Sequence, residues 1–208
     1  MTTVPELIAA FTALFVVIDP IGMAPLFIAM TPGLSAKERR GIALRACSVA
    51  VGILIVFALF GEQLLGFIGI SMPAFQIAGG VLLFLTALDM LFERRQARRK
   101  DTSDESTAIV HDPSVFPLAI PLIAGPGAIA TIILLAGQSE GVAGFGATIG
   151  VMLAVVLLVF ILFNIANPIE RLLGKTGINV VTRLLGMLLA ALSVQFILDG
   201  LQGFGLTG

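Results

Sequence analysis

Apolar residues fall into long runs along the chain, separated by short polar segments. Six runs are close to or above the roughly 20 residues that an α-helix needs to cross a bilayer. The runs are Glu6–Met30, Ile42–Phe60, Met72–Phe92, Phe116–Ala136, Ala143–Asn167 and Val180–Asp199. The pattern therefore predicts an all-α, polytopic membrane protein with six transmembrane helices in one domain, residues 1–208.

Composition supports this prediction. Hydrophobic residues make up 58% of the chain and charged residues 12%, and the mean hydropathy is +1.08. Soluble domains carry about 25% charged residues. Buried helices of a soluble protein would need polar outer helices to cover them, and the sequence offers none.

Positive charge indicates the orientation of the spans. All 12 Lys and Arg residues fall in three segments, 31–45, 93–115 and 168–183, while the alternate connections and both ends have none. Because cytoplasmic loops are enriched in Lys and Arg, these segments are predicted to face the cytoplasm. The expectation is a multi-pass protein of the inner (cytoplasmic) membrane with both termini outside. The start of the chain lacks a basic signal region, so the first span is expected to remain.

Few residues suggest chemistry of the kind that enzymes perform. Cys47 is the only cysteine and His111 the only histidine, so an intramolecular disulfide is excluded and no partner for a metal site stands near His111. The sequence shows no phosphate loop, metal-ligand cluster or catalytic triad. It predicts a protein that is not an enzyme and has no cofactor or metal, and its net charge of -1 gives no reason to expect nucleic-acid binding.

The chain divides into two similar halves. Repeat one covers about 1–92, a cytoplasmic linker about 93–114, and repeat two about 115–208. An offset of 106 places Asp19-Pro20 on Gly125-Pro126, and an offset of 107 places Gly79 on Gly186. Because each half has an odd number of spans, the second copy would enter the membrane from the opposite side. Such inverted repeats recur among secondary transporters.

The first span carries a predicted break. Asp19 lies near the middle of this span and Pro20 follows it, with Gly22 and Pro25 in the next turns. Proline removes an amide donor and moves the preceding residue out of the helical region. We expect the helix to stop near Ile18 and restart at Pro20, with Asp19 as the N-cap.

The fourth span repeats this pattern. Pro121 disturbs its first turns, and Gly125 can cap the half-helix that starts at Pro126. Gly127 leaves the backbone of that half-helix open. Two half-helix N-termini would then meet near the bilayer midplane, an arrangement that binds anions. With the Asp19 carboxylate beside them, the site suits a zwitterion such as a small amino acid. The predicted substrate-binding residues are Asp19, Pro20, Gly22, Pro25, Gly125, Pro126, Gly127 and Thr131. In the alternative interpretation both breaks are packing devices, and Asp19 only caps its helix.

Other polar and small residues of the spans are expected to serve packing. Hydrogen bonds across helices are predicted for Gln76, Asn164, Asn167, Ser193 and Gln195. Gly146-x-x-x-Gly150 matches the motif by which membrane helices approach closely.

These motifs resemble the MarC family over essentially the whole chain. The resemblance rests on Asp19-Pro-Ile-Gly-Met-Ala-Pro25, Ala78-Gly-Gly80, Pro121-Leu-Ile-Ala-Gly-Pro-Gly127 with Ile129 and Thr131, and Arg183-x-x-Gly186 with Gln195. It implies six spans and a cytoplasmic membrane location in bacteria or archaea. Some relatives are described as transporters of small neutral amino acids, so the resemblance implies a transporter.

The sequence favours a secondary transporter or exporter of a small solute, with a neutral amino acid as the leading substrate. Asp19 would contact an amine or a coupling proton or cation, and rocking of one three-helix repeat against the other would give alternating access. Its expected partners are the small-molecule substrate and the lipid bilayer, and a homo-oligomer is left open. The rival hypotheses are a membrane enzyme acting on a lipid-linked substrate and a non-transporting assembly subunit.

Overall fold

A computed structural model describes residues 3–92 and 112–205, and these two ranges contain helices but no strand. The helices are α1 (Val4–Ile18), α2 (Pro20–Met30), α3 (Ala36–Ile68), α4 (Met72–Leu91), α5 (Ser114–Ile123), α6 (Pro126–Gly137), α7 (Gly141–Asn164) and α8 (Ala166–Gly203). Most of the predicted linker, with His111, and the two chain ends lie outside the described residues.

The helices match the predicted membrane spans. Five segments are long and apolar enough to cross a bilayer: Val4–Met30, Ala36–Ile68, Met72–Leu91, Gly141–Asn164 and Thr176–Gly203. A sixth span results if α5 and α6, which are bent by 57° at their junction, count as one. The prediction of an all-α polytopic membrane protein is therefore confirmed, with five to six candidate spans.

α3 is much longer than its predicted span. Its 33 residues correspond to about 50 Å of helix, whereas the hydrocarbon core is about 30 Å thick. The helix begins early because Ser35 and Glu38 form a capping box, and it ends at Gly69, which takes the left-handed conformation with φ 84°. Hydropathy alone detects only the apolar middle of such a helix.

Prolines make α5 irregular. Phe116 and Ile120 each precede a proline and take extended backbone angles, as steric contact with the proline ring requires. The amide of Ala124 bonds to the carbonyl of Ala119 at 2.8 Å, which is a wider turn than that of an α-helix. The first part of span four is consequently a stack of loose turns, and the regular helix starts only at Pro126.

The most extensive helix contact joins α4 and α8, which run antiparallel. Glycines let their backbones approach: a β-carbon on Gly80 would lie 2.8 Å from the carbonyl oxygen of Ser193. At the ends of the same crossing, Gly200 faces Pro73 and Gly186 faces Ala87 in the same way. The predicted packing motif at Gly146 and Gly150 is wrong for the described part of this chain, because no atom of residues 3–92 or of the other helices in 112–205 lies within 4 Å of a β-carbon at either position.

The two halves of the chain interlock. α3 packs on α5, α6 and α7, and α7 packs on α1 and α2, so each half makes its main contacts with the other. Within the first half, α3 makes only slight contact with α4. Within the second half, α7 makes only slight contact with α8. An inverted repeat would give this exchange of contacts, but the repeat itself stays a prediction. Rocking of one half against the other would have to break these contacts, and it too stays a prediction.

Candidate functional site

Asp19 interrupts the first span. It has φ 56° and ψ 63° and is the only non-glycine residue with positive φ among residues 3–92 and 112–205. Its amide bonds to the Phe15 carbonyl at 2.9 Å and so ends α1. Its Oδ1 accepts a hydrogen bond from the Gly22 amide at 3.1 Å and so starts α2. One residue thus caps two helices, and its left-handed conformation is one that Asp tolerates better than most residues.

The Asp19 carboxylate is deep inside the protein. Only 1% of the residue is exposed, with 15 residues of α1 before it and 11 of α2 after it. At 1.5 Å per residue, α1 is about 22 Å long and α2 about 16 Å long, so Asp19 lies near the middle of the span. A carboxylate at the bilayer centre costs about 2.5–3.5 kcal/mol on insertion scales, so such residues serve a function more often than packing.

The second break lies against the first. Gly125 precedes α6, and no side chain caps this helix, whose first amides also have no partner within the helix. A β-carbon on Gly127 would lie 3.0 Å from Cγ1 of Val17 and 3.3 Å from Cδ2 of Leu83. The first turn of α6 therefore packs against the last turn of α1, immediately before Asp19. The two interruptions meet inside the protein, and their depth in a membrane stays a prediction.

The remaining predicted site residues differ in their surroundings. Pro20 is buried as the first residue of α2, whereas Pro25 lies within that helix and is partly exposed. Pro126 starts α6 but is exposed. The Thr131 hydroxyl is buried and donates to the Gly127 carbonyl of its own helix at 2.8 Å. Asp19 is bonded to Gly22, and Gly127 packs against Val17 two residues before Asp19, while a binding site shared by these residues stays a prediction.

A pocket of about 270 Å³ opens between α1, α6 and α8 at the end where α1 begins. Its polar lining residues, which define the acidic vestibule, are Glu6, Gln138, Gln195 and Asp199. Ala10 and Ala13 form its wall on α1, and Ala13 is about 9 Å of helix from Asp19. In the sequence Asp199 is only the last residue of the sixth apolar run, so the vestibule is a feature that only the packing of three helices reveals.

Two aromatic side chains stack at the opposite end. The rings of Phe27 and Phe163 stack with centroids 4.4 Å apart and planes 2° apart, and both are almost fully buried. We call this pair the phenylalanine closure. Arg39 lies over it, with its guanidinium carbon 5.8 Å from the centre of the Phe27 ring. The chain has 15 phenylalanines, and nothing in the sequence distinguishes Phe27 and Phe163 from the others, so the sequence did not predict this pair.

The prediction of hydrogen bonds across helices is wrong for three polar residues. Ser193 and Asn164 donate to carbonyls of their own helices, at 2.6 Å and 2.7 Å. Gln195 donates to Asp199, one turn further along α8, at 2.6 Å. Gln76 is 7% exposed in α4. Helices in this protein are therefore joined mainly by close packing.

Contacts bring two of the basic segments to one end of the molecule. Arg45 in α3 forms a 2.9 Å ion pair with Asp112, just before α5. Burial would raise the pKa of the Asp112 carboxyl, but hydrogen bonds from Ser114 and the charge of Arg45 outweigh it and lower that pKa. These two basic segments thus share a side, as predicted, while the assignment of that side to the cytoplasm stays a prediction.

Comparison with known proteins establishes the relationship. Residues 4–204 match the family described as MarC family integral membrane protein. The chain belongs to the MarC family. The resemblance seen at the Asp19 and Gly125 motifs is therefore confirmed, and no solved structure matches this MarC protein.

Relatives of this MarC protein are spread over bacteria and archaea. It is 38% identical over 200 residues to the UPF0056 membrane protein YvbG of Bacillus subtilis, covering 95% of this chain and 94% of the relative. It is 37% identical over 196 residues to YhcE of Escherichia coli, covering 93% and 90%. For MJ1677 of Methanocaldococcus jannaschii the identity is 36% over 197 residues, covering 94% and 96%. These names describe membrane proteins and specify no substrate.

Proposed function

We propose that this MarC protein is a secondary transporter or exporter of a small solute, with a neutral amino acid as its leading substrate. The observation that carries the proposal is the meeting of two interrupted spans at a buried carboxylate. Gly127 at the start of α6 packs against Val17, and Asp19 follows two residues later. Interrupted helices that meet inside a membrane protein are the usual construction of a transporter binding site.

The two charged ends of an amino acid would find different partners. Its amine, or a coupling proton or cation, would bind the Asp19 carboxylate. A carboxylate has about four acceptor positions, so capping Gly22 is compatible with binding an amine. The substrate carboxylate would bind amides at the N-terminus of α6, where the helix dipole favours negative charge.

Access to this site would alternate between the two ends. The acidic vestibule extends along α1 toward the break, and its carboxylates at Glu6 and Asp199 would attract the amine. The phenylalanine closure at the other end would block the path in this state and would have to open for release. Because α4 and α8 form the most extensive contact, we propose that they move as a pair against the other spans, around the site.

Proteoliposomes containing the purified protein provide the direct test. Counterflow of labelled alanine and glycine should exceed that of protein-free liposomes and should be lost in Asp19→Asn. Glu140→Gln is the matched control, because it also removes one carboxylate but at an exposed position before α7. Flux in the control but not in Asp19→Asn supports the site. Absence of flux for every neutral amino acid tested in the wild type would contradict the proposed substrate class.

A further inference from the structure

A second pocket lies at the basic end of the molecule, away from the two breaks. It has a volume of about 290 Å³ and lies where α3 begins, α7 ends and α8 begins. Its lining residues, which define the anion pocket, are Leu34, Ala36, Arg39, Phe163, Asn164 and Asn167. The pocket combines one cation and two amide side chains with an apolar wall, and the proposed transport site uses none of these polar groups.

The Arg39 side chain is fixed in place by neutral partners. Its Nε donates to the Thr31 hydroxyl at 2.9 Å, and that hydroxyl donates to the Phe27 carbonyl at 2.7 Å. The guanidinium also lies over the Phe27 ring, which is a favourable position for a cation. An arginine held in this way loses little further freedom when it binds a ligand.

The charge of Arg39 has no counterion among the residues that the structure describes. None of their carboxylates forms an ion pair with it, and the bond to Thr31 uses one of its five donors. Glu38, the nearest acid in sequence, is directed to Ser35, whose amide and hydroxyl it binds at 2.8 Å and 2.7 Å. A partly buried guanidinium with donors to spare is a typical site for an oxyanion.

We propose that the anion pocket binds a phosphate group and that an anionic phospholipid of the membrane supplies it. The guanidinium of Arg39 would hold the phosphate in bidentate fashion, and the amide of Asn167 would donate a further bond. Exposed apolar side chains surround this end of the molecule, with Leu34 38% exposed and Ile165 43% exposed. They give acyl chains a surface beside the phosphate, which free phosphate would not use. Basic pockets between membrane helices are known positions for such headgroups.

Titration of the purified full-length protein in neutral detergent tests the proposal. Bound lipid is counted by native mass spectrometry, with phosphatidylglycerol, phosphatidylcholine and inorganic phosphate as separate probes. Arg39→Gln should weaken phosphatidylglycerol binding roughly tenfold, as expected for the loss of a charge-assisted hydrogen bond. Arg40→Gln is the matched control, since it removes the same charge from an exposed neighbour outside the pocket. It should change binding less than twofold.

A second variant protects the test against misfolding. Asn167→Asp keeps Arg39 and its contacts but places a carboxylate at an exposed position of the pocket, so it should also weaken phosphatidylglycerol binding. Equal losses in Arg39→Gln and Arg40→Gln would overturn the proposal in favour of general surface charge. Binding of phosphatidylcholine as tight as that of phosphatidylglycerol would overturn it too. Displacement of the lipid by inorganic phosphate at equal concentration would contradict the lipid as the source.

Discussion

Replacing Asp19 by Asn, Gly and Ala separates three roles of this residue. It holds a left-handed backbone conformation, caps α2 through Gly22, and is proposed to supply negative charge to the site. Asn tolerates the conformation and caps equally well but carries no charge. Gly tolerates the conformation but cannot cap, and Ala can do neither.

The expected stabilities follow from these roles. Asp19→Asn should stay within about 0.5 kcal/mol of the wild type, because Asn and Asp are equivalent caps. Asp19→Gly leaves the buried Gly22 amide without its acceptor, which costs about 1–3 kcal/mol. Asp19→Ala adds about 1–2 kcal/mol for a left-handed residue with a β-carbon, so its total loss is about 2–5 kcal/mol.

Two assays on the same preparations measure these effects. The midpoint of thermal unfolding in detergent should be highest for the wild type and Asp19→Asn, lower for Asp19→Gly and lowest for Asp19→Ala. Counterflow of labelled alanine should be lost in all three variants, because all three lack the charge. A transporter that loses function in Asp19→Asn while keeping its stability would assign a functional role to the carboxylate.

Two results would refute this reasoning. Wild-type flux in Asp19→Asn would reduce Asp19 to a capping residue and move the proposed site elsewhere. Equal stability of the Gly and Ala variants would show that the left-handed conformation at this position carries no cost. These outcomes are independent, so the structural and the functional arguments can fail separately.

Further predictions concern packing, pH and orientation. Gly80→Ala should destabilise the protein by about 1–3 kcal/mol in thermal unfolding, whereas Gly150→Ala, which faces open space, should not. Asp112→Asn should cost less than about 1 kcal/mol at pH 7, because its ion pair is exposed. Since folding lowers the pKa of Asp112, this stabilisation is present above the unfolded pKa and lost as the pH falls through the folded value. Unfolding at pH 3 should therefore show a smaller difference than at pH 7. Thr3→Cys should react with an impermeant maleimide in intact cells, and Lys37→Cys should react only after lysis.

The sequence predicts the spans and the position of the first interruption well, because both depend on local chemistry. Hydropathy locates the spans to within a few residues in most cases, and the Asp19-Pro20 pair marks the end of α1 and the start of α2. It underestimates α3, although Ser35 and Glu38 form a recognisable capping box.

Contacts between distant segments were the part that could not be predicted. The stack of Phe27 on Phe163 and the vestibule beside Asp199 depend on which helix faces meet. Apolar side chains face both lipid and protein in a membrane, so hydropathy does not distinguish these faces. The same ambiguity led to the wrong assignment of Gly146 and Gly150 to a packed surface, while Gly80 and Gly200 form the close crossing.

The interlocked halves have a consequence for biosynthesis. A ribosome delivers the first three spans to the membrane before the last three exist. During that interval the glycine face of α4, including Gly80, lacks its partner α8, because α8 is made much later than α4. Membrane insertion of the first half must therefore precede tertiary assembly, and the buried carboxylate of Asp19 acquires its neighbour α6 only later. A ribosome stall in the linker would leave three inserted helices whose partners have not been synthesised, a substrate suited to membrane quality-control proteases.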